Sequence, residues 1–210
     1  MMNRCRILEA ARKVFADFGF RGATTRRIAD AAGVNEVTLF RIFGSKAALI
    51  SEALNTGATE TAGPSLPDVP DDPERELTAW CRAQLQHLRA SSALIRTSMG
   101  EAEERPELSA CACDAPTRAS QGLMAYLTRL RKQGRIAPDV PLQAAVAMLM
   151  GSLFADAMGR DMMTGVFPQP MEAAPRMYAR LLLRAVGLDS SSTAAKTQPA
   201  RRSGARKAAR

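Results

Sequence analysis

The side chains best suited to metal or covalent chemistry are few and scattered. Four cysteines (Cys5, Cys81, Cys111, Cys113) and a single histidine, His87, are spread over 210 residues. A structural zinc takes four ligands in two close pairs, and only Cys111 and Cys113 stand close. Reduced thiols of a cytoplasmic protein account for the cysteines, and neither metal nor cofactor is expected. No paired carboxylates sit in a motif, and no glycine-rich phosphate loop occurs. Asp17-Phe18-Gly19 matches a kinase metal-binding triplet by letters only, because no catalytic loop accompanies it. An enzyme is not indicated. Chemistry of another kind is concentrated in residues 24–46, TTRRIADAAGVNEVTLFRIFGSK. There polar and basic side chains, Arg26, Arg27, Arg41 and Lys46 among them, alternate with apolar ones.

Two short helices and a tight turn must position these groups. Ile28, Ala29 and Ala32 put an apolar stripe on a first helix over 25–32. Gly33 follows where a helix ends by turning left-handed. Val34 plugs the corner, and Asn35 can cap a second helix by accepting a hydrogen bond from its first free N–H groups. On that helix Leu39, Ile42 and Phe43 face inward at i, i+3, i+4, which leaves Glu36, Val37, Thr38 and Arg41 outward. Small Ala29 lets the two helices cross closely. This is the pattern of a helix-turn-helix, whose second helix enters the DNA major groove by its N-terminal residues.

Composition agrees with an all-α chain: apolar residues make up 46% and aromatics 5%, with no alternating β-branched runs. Charge is uneven. Residues 1–55 carry nine Lys/Arg against five acids, 56–189 carry 14 against 16, and 190–210 carry six and none. Basic ends around a near-neutral middle suit a polyanion touched at the ends. No signal peptide is visible, since residues 1–20 are amphipathic. The most apolar run, 142–158, holds Gln143, Ser152 and Asp156 and is short for a bilayer. It reads as a buried helix, with no membrane partner.

Upstream of the helix-turn-helix, Ile7, Leu8, Ala11, Val14, Phe15 and Phe18 recur at helical spacing over 4–18, and Gly19 ends that helix. With this helix in place, residues 6–54 resemble the N-terminal domain of the TetR family of bacterial transcriptional regulators. The shared order is helix, glycine, Thr-Thr-Arg-Arg-Ile-Ala, Ala-Gly-Val, Thr-Leu-Phe-Arg-Ile-Phe, Gly-Ser-Lys and Ala-Leu. The resemblance implies that Thr25 and Arg26, at the start of the first helix of the pair, meet phosphate and sometimes a base edge. It implies that Glu36, Val37, Thr38 and Arg41, with Asn35 beside them, form the reading face. It also implies that Lys46 contacts phosphate at the start of the next helix. Phe40 stands where a tyrosine is usual and Ile42 where a tyrosine or histidine is usual, so fewer phosphate hydrogen bonds are expected.

The rest of the chain divides in the same way. A helix-turn-helix domain over 1–55 is followed by a Pro-rich linker over 56–73, whose Pro64, Pro67, Pro70 and Pro73 recur every third residue and suit a mobile, extended tether. Asp72-Pro73-Glu74 is a helix start. A helical ligand-binding and dimerisation domain over 74–188 should carry helices through 74–88, 92–99, 116–134, 142–163 and 171–186, with a loop beginning at Pro106. Apolar residues go nearly all round the helix over 142–163, so a second surface must cover it. The family pairs its last two helices across a homodimer, which implies a four-helix bundle and a near-palindromic operator in double-stranded DNA. Trp80, Met99, Met124, Leu127, Met148, Phe154 and Met158 could line an adaptable pocket for an apolar or amphipathic small-molecule effector. The tail 189–210 is expected to be disordered, serving as a DNA grip or a solubilising segment. The expected function is a ligand-responsive dimeric repressor. The alternative is an architectural DNA-coating protein that binds through its tail with little sequence preference.

Overall fold

The computed structural model describes residues 2–60 and 65–188. The expected basic tail 189–210 and residues 61–64 of the Pro-rich linker lie outside the described residues, as do the side chains of Cys111 and Cys113. The described residues form nine α-helices and no strand.

Helix α1 (Met2–Gly22) breaks at Gly19, whose φ of 65° and ψ of −178° are adopted without strain only by glycine. Phe20 to Gly22 then make a last turn into α2 (Thr25–Ala32), α3 (Glu36–Phe43) and α4 (Lys46–Glu60). Ile7, Ala11 and Phe15 of α1 meet Ile28 of α2, Leu39 of α3, and Leu49 and Ile50 of α4 in a first core. The three-helix unit bearing the helix-turn-helix is thus backed by α4, which runs six residues beyond the expected end at Leu54.

A second core gathers α5 (Pro73–Ala90), α7 (Pro106–Lys132), α8 (Leu142–Gly159) and α9 (Ala174–Ala185) around Leu77, Trp80, Leu85, Tyr126, Leu127, Leu149, Leu153 and Leu182. Between the two cores lies α6 (Ser92–Glu101), which packs along α1, while α4 packs on α7. Leu94 of α6 reaches the first core.

Three further boundaries differ from expectation. Pro106 opens α7 and does not start a loop, because a proline at the first helical position has no N–H to leave unpaired. Pro116 consequently lies inside α7. Helix α8 stops at Gly159, four residues before Met163. The chain folds back tightly there: a Cβ at Gly159 would lie 2.5 Å from the Met163 Cε. The final helix starts at Ala174, after a 3-10 turn over Met171–Ala173.

The described part of the linker, 65–72, is without helix, bends at 68, 69 and 71, and is not a free tether. Leu66 packs against the second core and Pro70 is buried. Arg129 pairs with Asp68 at 2.6 Å, and the Glu76 carboxylate accepts from the backbone N–H groups of Asp71 and Asp72.

Helix α8 explains its own hydropathy. Leu142, Ala145, Val146, Leu149, Leu153 and Asp156 form the buried stripe, while Ala144, Ala147, Met148, Gly151, Phe154 and Ala155 are exposed on the opposite face. By length and composition alone it could cross a membrane, but its buried stripe is core of the second domain. The acid in that stripe, Asp156, is fully buried. It accepts from Arg89 Nη2 at 2.9 Å, Arg160 Nε at 2.7 Å and the Tyr178 hydroxyl at 2.9 Å, tying α5 and α9 to α8. Burial alone would raise its pKa. The hydrogen bonds from Arg160, Arg89 and Tyr178 outweigh burial and hold the carboxyl below the usual carboxylate range.

Candidate nucleic-acid interface

The reading face is built by caps. The Thr24 hydroxyl accepts from the Arg27 N–H at 3.2 Å to start α2. At its end Gly33 is left-handed (φ 62°, ψ 42°), which lets Val34 N–H reach back to the Ala29 carbonyl at 3.0 Å. Arg6 of α1 donates to the Ala32 carbonyl at 2.6 Å, so the turn is held from outside as well. Asn35 Oδ1 accepts from Val37 N–H at 2.9 Å and starts α3, and Leu39 anchors that helix in the core.

With Leu39 inward, the solvent face of α3 presents Val37 (72% exposed), Phe40 and Arg41, with Asn35 exposed at its start. Glu36 and Thr38 are half-buried, as are Ile42 and Phe43, which close the inner side. The Thr25 hydroxyl, at the first residue of α2, donates to the Glu36 carboxylate. Two members of the expected DNA-facing set are therefore joined to each other across the helix-turn-helix. Arg26 is exposed beside them.

The other basic groups are spent differently. Arg27 donates to the Gly22 carbonyl at 2.9 Å and lies over the Phe18 ring, bracing the α1–α2 connection. Ser45 caps α4 by accepting from Ala48 N–H at 3.1 Å, so the first residue of that helix is Lys46, beside a positive helix end. The Lys46 ammonium turns back toward α1: it donates to the Phe20 carbonyl at 2.7 Å and sits 4.2 Å from the centre of the Phe20 ring. Burial and the neighbouring Arg105 guanidinium push its pKa down, against the opposing pull of Glu101.

Phe20 itself is buried between the two halves of the chain. Its N–H donates to Glu101 Oε1 at 2.9 Å, and the Arg105 guanidinium lies 3.8 Å from its ring centre. Further along the same seam the Thr97 hydroxyl donates to the Ala16 carbonyl at 2.9 Å, and Arg21 pairs with Glu104 at 3.1 Å. Phe20, Glu101 and Arg105 are absent from the residues that sequence spacing singles out. Phe20 and Glu101 are 81 positions apart, and no local pattern joins them.

Of the seven residues expected to line an effector pocket, only Trp80, Met124 and Leu127 meet at one core. Trp80 and Leu127 are buried in the second core, Met124 packs against it, and Met158 is half-buried. Met99 (60% exposed), Met148 (66%) and Phe154 face outward. The reason on α8 is rotational: Leu149 and Leu153 occupy the inward stripe, and Met148 and Phe154 fall on the other side. Among the described residues one hollow of about 210 Å³ is lined by Ser65, Pro67, Arg75, Glu76, Ala79 and Trp80. Another, of about 300 Å³, is lined by Arg21, Thr97, Gly100, Glu101 and Glu104 at the seam between α1 and α6. No group of side chains suited to hold a metal occurs among the described residues.

Comparison with known proteins agrees with this arrangement in both halves. Residues 7–53 match the family described as bacterial regulatory proteins, tetR family. Residues 75–185 match the C-terminal domain of AefR-like transcriptional repressors. The HTH-type transcriptional repressor AcnR of Corynebacterium efficiens is 31% identical over 153 residues, covering 67% of this chain and 72% of that protein. The uncharacterized HTH-type transcriptional regulator YvkB of Bacillus subtilis is 30% identical over 131 residues, covering 62% and 69%. A TetR-family regulator structure from Mesorhizobium loti superposes with a TM-score of 0.70 at 21% identity, covering 88% of this chain and 95% of that one, which shows the shared fold. With the helix-turn-helix, the helical second domain and these relatives in agreement, the chain belongs to the TetR family of bacterial transcriptional regulators.

Proposed function

We propose that this protein is a repressor that binds a near-palindromic operator as a homodimer and is released by a small apolar or amphipathic effector. The observation that carries the DNA half is the outward row of α3: Val37, Phe40 and Arg41 exposed at the end of a doubly capped helix-turn-helix, with Arg26 beside them. In this reading Thr38 and Glu36 join Val37 and Arg41 at base edges, Asn35 caps and borders them, and Thr25, Arg26 and Lys46 meet phosphates. Phe40 contributes packing where a hydroxyl is absent.

The dimer rests on the uncovered face of α8 together with Met177 and Leu181 (60% exposed) on α9. These two helices pack against each other, so a second copy placed on the twofold axis would bury both stripes in a four-helix bundle. AcnR, by its name a repressor, supports the direction of regulation. By linkage, an effector that favours a wrong spacing of the two recognition helices weakens DNA binding by the same factor by which DNA weakens effector binding.

The test is binding to DNA from upstream of the protein's own gene against a shuffled duplex at physiological salt. A preference of about 10³ or more is expected of a specific reader. Near-equal binding to both, and to duplexes selected from a random pool, would replace this reading with non-specific coating.

A further inference from the structure

Lys46 is the one residue of the DNA-facing set whose side chain is tied to the joint between the two halves of the chain. Its ammonium bonds the carbonyl of Phe20, a buried member of the first core that is also fastened by the regulatory half. Glu101, the last residue of α6, accepts from the Phe20 N–H at 2.9 Å. Arg105, four residues on and just before α7, lies against the ring at 3.8 Å and is itself held by Glu101 at 3.6 Å. Phe20 directly follows the break in α1 at Gly19. A Cβ at Gly19 would meet Glu101 Oε1 at 2.8 Å, which shows how closely the carboxylate approaches this break.

We propose that Glu101, Arg105 and Phe20 form a positioning relay for Lys46: the end of α6 seats Phe20, and the Phe20 carbonyl and ring aim the Lys46 ammonium at the start of α4 for its phosphate contact. An ammonium has three donors, and only one is used by the Phe20 carbonyl. The remaining N–H groups, on a half-buried side chain beside an exposed helix start, are available to an anion. Lysine stems are otherwise free to wander, so fixing one end of the ammonium removes part of the entropy cost of the contact. Any movement of α6 against α1 unseats Phe20 and releases Lys46. The relay therefore passes the state of the regulatory half to one named DNA contact without passing through the recognition helix.

This inference rests on Lys46 being a phosphate contact, and a double-mutant cycle on the full-length chain separates the two claims. The probe is the best-bound duplex recovered from a random-sequence pool, with affinity followed from low to moderate salt. Lys46→Ala removes one phosphate contact from each protomer of the dimer and is expected to lower the log–log salt slope by about 1.8. Glu101→Ala is expected to weaken binding by about fivefold for each protomer, the scale of one lost hydrogen bond, and to do so by less than about twofold in the Lys46→Ala background. Glu101→Gln keeps an oxygen for the Phe20 N–H and should retain most of the affinity. Phe20→Leu, which removes the ring and keeps the backbone, provides a second route if Glu101→Ala folds poorly, and its loss should likewise vanish with Lys46. Equal losses in both backgrounds, or no loss from either Glu101→Ala or Phe20→Leu, would overturn the relay while leaving Lys46 a DNA contact. An unchanged slope for Lys46→Ala would remove the phosphate contact, and the relay with it.

Discussion

At Asn35 two roles coincide that a pair of substitutions can pull apart. Its Oδ1 accepts from the Val37 N–H at 2.9 Å, so it starts the recognition helix, and it is exposed beside the reading face. Replacing it with alanine should cost about 1 kcal/mol of stability, the usual worth of an N-cap, whereas serine should hold the stability because it caps as well. Urea unfolding midpoints check this. Operator affinity then decides the second role: if Asn35→Ser binds as tightly as the native chain, the residue is a cap alone, and if it loses affinity at unchanged stability, the amide also reads DNA. Glu36 and Thr25 show a related duality, since the bond between them commits part of each to the other. Caps and inward anchors around them were legible from residue type and spacing. The partners of Lys46 and Thr25 were not, because a side chain's direction depends on what else lies within its reach.

Among the elements, α8 places a fully buried acid in an otherwise apolar stripe, where Asp156 gathers Arg89, Arg160 and Tyr178. Removing its charge by Asp156→Asn leaves two guanidinium groups short of their counterion, and Arg160 is itself mostly buried. A loss of about 3–5 kcal/mol is expected for breaking a buried pair from one side. The pH dependence has a definite sign. The folded pKa of Asp156 lies below its unfolded value, so the folded state binds fewer protons. Its contribution is fully present at neutral pH and is lost only as the pH falls through the acid range below about 4. Unfolding midpoints measured from neutral to acid pH should fall more steeply there for the native chain than for Asp156→Asn. A parallel pair of curves would mean that folding leaves the ionisation of Asp156 unshifted. The presence of an acid in the 142–158 run was visible in the sequence; that it organises three helices was not, since Arg89 and Tyr178 come from 67 and 22 positions away.

For the molecule as a whole, the exposed stripe of Met148, Gly151, Phe154 and Ala155, continued by Met177 and Leu181, is an apolar surface of the sort that soluble monomers seldom leave bare. Sedimentation should find a dimer. Met148→Glu should give a monomer with an unchanged helical signal, because Met148 touches solvent and contributes little to its own core. Losing the second recognition helix should weaken operator binding by about 10²-fold or more. A dimer that survives both Met148→Glu and Leu181→Glu would place the twofold contact elsewhere.

The amino-acid sequence by itself determined the helical class, the helix-turn-helix with Gly33 and Asn35 at its turn, outward Val37 and Arg41 on α3 and the apolar surplus on α8, but not the exposure of Phe40 or the half-burial of Glu36 and Thr38. Each feature so determined is a periodic or local property: spacing decides which side chains share a face, and capping acts within three or four residues. Only the tertiary structure decided that α4 backs the reading unit, that Pro106 starts a helix, that residues 65–72 are pinned and that Met148 and Phe154 turn away from Trp80. It also decided that Phe20 meets Glu101 across 81 positions. Proline is compatible with both a loop and a first helical turn, and an apolar side chain with both a core and an interface. Such choices are settled by the packing energy of distant segments, which acts through space and leaves no period along the chain.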